Sequence, residues 1–189
     1  LNSKIYVDKS ELIQYTNSVL RTTQKYICVS RPRRFGKSMA ANMLTAYYSR
    51  GCDSRELFQG LKIATHPDFE KHLNQYNVIH LNMRDYLTES ENMKQLIQFV
   101  EDDLLDELQQ EFSDLRMPRR KTLVKVLEQA FAQYKIPFVF IIDEWDCIFR
   151  VHKSDAASQK EYLDFLRNLL KDKSYIALAY MTGILPIKK

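Results

Sequence analysis

Cysteine is scarce: the 189 residues hold three, Cys28, Cys52 and Cys147, an odd number with no CxxC pair. That excludes a disulfide framework or a zinc ribbon. Cys28 and Cys147 lie in apolar surroundings and read as reduced core thiols. Gly 4 and Pro 5 exclude collagenous and low-complexity chains. Long hydrophobic runs are missing too. The longest, Phe138–Ile142 and Tyr175–Met181, fall far short of the ~20 residues that span a bilayer, and no signal-type segment opens the chain. A cytoplasmic location without membrane contact is the expectation. Nor is there an excess of one charge: Lys+Arg 28 against Asp+Glu 24 leaves +4, whereas a dedicated nucleic-acid binder concentrates its charge. Direct nucleic-acid binding is not expected. Leu1 in place of a starting Met, and Lys189 following directly on an apolar segment, read as cuts in a longer chain.

What is present is ordinary globular composition, 45% hydrophobic and 28% charged, consistent with a single domain over 1–189. Asp8 and Glu11 have capping-box spacing ahead of a helix over roughly 9–21. Tyr26–Ser30 is a short strand-like run, followed by RPRRFGKS and a helix that stops at Gly51. A looser helical stretch spans Pro67–Gln75, and Asn77–Asn82 reads as a second strand. Thr88 and Glu91 are expected to open a long helix whose apolar stripe runs from Met93 to Phe112. Arg119–Lys121 makes a solvated turn before a helix over Thr122–Tyr134. A third strand, Pro137–Ile142, ends at Asp143 and Glu144. The helix Ala157–Lys171 then precedes a fourth strand, Tyr175–Met181, ending at Thr182 and Gly183. Strands alternating with helices, and apolar along their whole length, imply a parallel sheet covered by helices on both faces.

Gly36-Lys37-Ser38 lies between a strand and a helix, the context a phosphate-binding loop requires. A triphosphate needs a concave row of main-chain N–H groups and the positive end of a helix. Gly36 lets the backbone approach, Lys37 reaches the β- and γ-phosphates, and the Ser38 hydroxyl suits Mg²⁺. The loop departs from the generic GxxxxGKS in starting with Arg31 and Pro32, and proline removes one N–H. Arg33 and Arg34 add positive charge, and the nucleotide-binding stretch is read as Arg33, Arg34, Phe35, Gly36, Lys37, Ser38 and Met39. Downstream, the strand ending in Asp143-Glu144 is the acidic partner such a loop needs, with Asp143 serving the metal through water and Glu144 the attacking water as general base. Trp145 reads as a packing residue rather than a base-stacking platform. Thr182 is open between a γ-phosphate sensor and a simple turn residue. His80 reads as a satisfied core or edge histidine, not a metal ligand.

Tyr6-Val7-Asp8-Lys9, RPRRFGKS at Arg31–Ser38, DEWD at Asp143–Asp146 and TGILPIKK at Thr182–Lys189 together resemble the prokaryotic AAA-ATPase-like domain family. That family belongs to the additional-strand catalytic-glutamate P-loop NTPases, near the AAA+ and STAND ATPases, and its members start the loop with Arg-Pro. The resemblance implies ATP with Mg²⁺. It puts Lys37 and Ser38 on the phosphates and metal, Asp143 and Glu144 as the acidic motif, and Tyr6 and Asp8 near the base or sugar. It also implies a strand order in which the first strand lies between the fourth and a fifth, with the acidic strand and then the second beyond the fourth. The fifth strand and a lid would follow Lys189. Family members often carry a nuclease-like carboxy-terminal domain, the expected effector partner, and a homo-oligomer stays open. Four readings follow: a Mg²⁺-dependent ATPase, a nucleotide-binding switch with little or no hydrolysis, a nucleic-acid module and a small-molecule kinase. The first is preferred.

Overall fold

The computed structural model describes residues 8–185, so Tyr6 and the closing residues 186–189 lie outside the described residues. Helix α1 (Glu11–Val19) leads to β1 (Tyr26–Ser30), the GKS loop and α2 (Lys37–Tyr48). Two single-turn helices, α3 (Arg55–Phe58) and α4 (Phe69–His72), flank a 3-10 turn at Lys62–Thr65 before β2 (Asn77–Asn82). Helices α5 (Met83–Glu89), α6 (Met93–Glu111) and α7 (Leu123–Tyr134) separate β2 from β3 (Phe138–Asp143). Helices α8 (Cys147–Val151) and α9 (Ala156–Leu170) lead to β4 (Ile176–Gly183).

The four strands form one parallel sheet in the order β1-β4-β3-β2. For these strands that is the order the resemblance implied. Every residue of β3 is buried, which is why its sequence is an unbroken apolar run rather than an alternation. Phe138, Phe140 and Ile142 face a core shared with α5, α6, α7 and α9, while Val139 and Ile141 face one shared with α1 and α2. The register of β4 against β3 slips between Phe138 and Val139, so Ala177 and Leu178 both join the α1–α2 side while Ile176 and Ala179 serve the other. Strand β1 departs from the expectation of two covered faces: it is an edge strand among the described residues, only half-buried, with Tyr26 40% exposed.

A buried polar network fixes α2 and hence the loop that precedes it. Tyr48 donates to Asn17 Oδ1 (2.8 Å) and shares a 2.7 Å hydrogen bond with Thr16. Asn17 Nδ2 donates to Tyr47 Oη (3.0 Å), which donates to the Phe69 carbonyl (2.7 Å). Each buried hydroxyl and amide therefore has a partner, which removes the desolvation cost that an orphan would carry.

Two expected helix starts are corrected. Thr88 lies inside α5, a helix the sequence did not signal, and Asn92 caps α6 by accepting from Gln95 N (3.0 Å). The Gln95 side chain returns the bond, accepting from Glu91 N (2.6 Å). At α1 the residue before the helix is Ser10, without a side-chain cap. Asp8 accepts instead from Ser10 N (2.8 Å) and, 54 positions along, from Lys62 N (2.9 Å). Its carboxylate therefore anchors the amino-terminal segment to the 3-10 turn. Burial alone would push its pKa up, but these two N–H donors outweigh it and hold the value below the ordinary 3.8.

Candidate functional site

The loop joining β1 to α2 turns through two left-handed residues, Arg34 (φ 68°) and Gly36 (φ 75°), before the helix begins at Lys37. Arg31 N donates to the Gly183 carbonyl (3.1 Å), and the next main-chain donor used inside the chain is Ala40 N, to the Gly36 carbonyl (3.0 Å). Among the described residues the main-chain N–H groups from Arg33 to Met39 donate to no other group. A run of unpaired N–H groups ending at a helix start is a concave anion receptor. The Lys37 side chain is buried along its length. Its Nζ bends back over the loop and donates to the carbonyls of Arg31 and Pro32, both at 3.0 Å. Lys9, beside the Asp8 anchor, donates from Nζ to the Phe35 carbonyl (3.0 Å) and braces the loop from outside.

The acidic segment arrives at the same end of the sheet. Asp143, the last residue of β3, is buried, and its Oδ1 accepts from Glu144 N (2.9 Å) and from the Thr182 hydroxyl. No described residue donates to its other oxygen. Thr182 is fully buried at the end of the neighbouring strand, and its hydroxyl holds Asp143. Glu144 sits in left-handed backbone (φ 54°), and its carboxylate is paired with Arg150 from α8. Asp146, with no exposure at all, accepts from Ile184 N (2.8 Å) and Leu185 N (2.6 Å) and lies 3.4 Å from Arg150. It ties the end of β3 to the end of β4. Trp145 packs its ring edgewise on Phe149, 5.6 Å away, as a packing residue does.

A cavity of about 350 Å³ brings the loop and Glu144 together, while Asp143 and Thr182 are not among its lining residues. Arg33, Arg34, Gly36, Lys37, Ser38 and Met39 of the loop and helix start line it together with Glu144 and Arg84. Four cationic side chains face a single carboxylate, itself already paired. Phe35 stands outward, 60% exposed. A larger hollow of about 420 Å³ lies by the starts of β2 and β3, where Arg50 is already engaged by Asn77 and Glu111. Ligands of open parallel sheets sit at the carboxyl ends of the strands, which is where the GKS cavity lies.

A family model described as predicted AAA-ATPase, AAA-ATPase-like, matches residues 1–189. The chain belongs to the AAA-ATPase-like family. Membership supports a general ATPase role and, at a coarse level, nucleotide binding by a P-loop NTPase. No curated protein matches the sequence. Among the described residues no helix is long and apolar enough to cross a membrane.

Asp8 accepts from Ser10 N and Lys62 N and is not among the residues lining the cavity, and Tyr6 is outside the described residues. His80, at an exposed position on β2, shares a 3.0 Å hydrogen bond between Nδ1 and Thr45 Oγ1, and Arg119–Lys121 are exposed. All three cysteines are free. Cys147 is buried with its thiol pushed up to about 12 by burial, Cys28 is half-buried and Cys52 exposed. Arg84 and Arg150 were missed from sequence: neither belongs to a local motif, and both reach the site only through folding.

Proposed function

We propose that the chain binds ATP with magnesium in the GKS cavity and hydrolyses it. The observation that carries this reading is the run of unpaired N–H groups from Arg33 to Met39 sharing one cavity with Lys37, Ser38 and Glu144. Among the described residues no group of three or more His, Cys, Asp or Glu could hold a metal. Magnesium keeps several waters and takes much of its shell from substrate phosphates, so it needs few protein ligands. Ser38 and Asp143, hard oxygen donors, would hold it, and it would supply charge neutralisation between the β- and γ-phosphates.

The chain's own residues do the rest. The loop N–H groups and the start of α2 bind and orient the phosphates, and Lys37 leaves the Arg31 and Pro32 carbonyls for the β- and γ-oxygens. Thr182 and Glu144 N hold Asp143 in one orientation. Glu144 accepts a proton from the water that attacks the γ-phosphorus, and the bond to the bridging oxygen breaks to release ADP.

Titration of a fluorescent ATP analogue against wild type and Lys37→Ala, with and without Mg²⁺, tests the site. Binding should weaken about tenfold or more in the variant, and equal binding overturns the assignment. A second reading, a slowly turning switch, is favoured by the Glu144–Arg150 ion pair, which occupies the base. Glu144→Gln separates the two. Retained binding with lost phosphate release supports the hydrolase, whereas unchanged phosphate release supports the switch.

A further inference from the structure

We propose that Arg84 is a second cation for the terminal phosphate, delivered to the phosphate loop of its own chain from the far edge of the sheet. This rests on the triphosphate reading above and adds one group that would touch the substrate there. Strand β2 is the strand most distant from β1, yet Arg84, two residues past its end, lines the same cavity as Lys37 and Ser38.

The turn that sends it there is specified by Asn82. Its Oδ1 accepts from Arg84 N (3.2 Å) and its Nδ2 donates to Asp85 Oδ2 (2.8 Å). Three successive residues then diverge. Met83 is fully buried in the core, Arg84 enters the GKS cavity, and Asp85 lines a different hollow with His80 and Tyr86. Asn82 is the register partner of Asp143, so the two strands leave the sheet side by side, and Arg84 and Glu144 follow two and one residues later. A group placed beside the general base faces the phosphate that the water attacks, which is the γ-phosphate.

The state of the guanidinium fits that task. Arg50 and Arg150 are each held by a carboxylate, whereas among the described residues the Arg84 side chain takes part in no ion pair or hydrogen bond. The single carboxylate in the cavity, Glu144, is already paired with Arg150, so nothing in the cavity neutralises Arg84. An exposed arginine aimed at an anion receptor and left without a counter-charge can give two parallel N–H donors to phosphate oxygens. It forms and breaks no covalent bond. Its effect is on charge that grows on the γ-oxygens as the bridging bond breaks.

The test compares dissociation constants for MgATP and MgADP, read with fluorescent analogues, in the full chain and in Arg84→Ala, Arg84→Lys and Lys37→Ala. Arg84→Ala should weaken MgATP about tenfold or more and leave MgADP within about twofold, since ADP lacks the γ-phosphate. Arg84→Lys should recover part of the loss. Equal weakening of both nucleotides, or no change in either, overturns the proposal. If Lys37→Ala weakens binding while Arg84→Ala leaves the MgATP-to-MgADP ratio unaltered, Arg84 alone is wrongly placed. If Lys37→Ala also binds like wild type, the phosphate-site reading itself falls.

Discussion

Replacing Gly183 by alanine should damage the site from behind. A Cβ on Gly183 would lie 2.8 Å from both Asp146 Cγ and Trp145 Nε1 and 2.9 Å from Asp146 Oδ1, against ordinary contacts of 3.4 Å and more. Neither neighbour can retreat cheaply. Asp146 has no exposure and is pinned by Ile184 N and Leu185 N, and the indole nitrogen of Trp145 is buried without a hydrogen-bond partner. Overpacking of this kind costs about 1–3 kcal/mol. For a domain of this size each kcal/mol lowers Tm by about 2–4 °C, so a fall of about 6 °C is expected. Trp145 is the one tryptophan in the chain, so its emission reports on this spot alone. Displacement toward water should shift the emission to longer wavelength, and phosphate release should slow because Glu144, the proposed base, precedes the displaced pair. A melting temperature within about 1 °C of wild type together with an unchanged spectrum would show that the crowding is not there.

Arg150→Ala should cost about 2 kcal/mol in denaturant unfolding, because it strips Glu144 and buried Asp146 of their cation. Arg150→Lys should recover part of that, and a loss no larger than that of an exposed pair such as Lys160–Asp164 would refute it. His72, hydrogen-bonded to Tyr76 Oη (2.7 Å), is pushed below the ordinary 6.5 by burial and by Lys71. Its neutral form favours the fold, so its contribution is whole above 6.5 and stability falls as pH drops through that value; His72→Gln should flatten the Tm-against-pH curve there. A thiol reagent near neutral pH should modify Cys52 quickly and Cys147 only on unfolding, which counting labelled sites by mass spectrometry checks.

Much of the sheet was legible because buried parallel strands are written as local apolar runs. Tyr26–Ser30 and Asn77–Asn82 have the bounds read from the sequence, and β3 and β4 differ by a residue or two at their ends. The GKS loop and the Asp143-Glu144 strand end were legible as well, since each needs particular residue types at adjacent positions. What was not legible depends on contacts distant in sequence. Helix α5 carries no sustained apolar stripe, and its start is set by Asn82 at a strand end. Asp8 resembles half of a capping box, but its second partner is Lys62, which nothing near Asp8 announces. The bond from the Thr182 hydroxyl to Asp143 likewise joins residues 39 positions apart, which no local pattern announces. Arg84 became visible only once the strand order had placed β2 beside β3.

Arg34 and Glu144 both line the cavity from backbone that glycine would occupy with less effort. Each conformation is unfavourable for a side-chain-bearing residue by about 1 kcal/mol or more. Glycine in place of Arg34, whose side chain makes no ion pair or hydrogen bond among the described residues, would relax the chain and firm the fold while removing a cation, whereas at Glu144 the same change would also break the pair with Arg150. Selection for heat resistance alone would therefore drift toward a sturdier but idle molecule, and variants gained that way should be screened for turnover before they are kept.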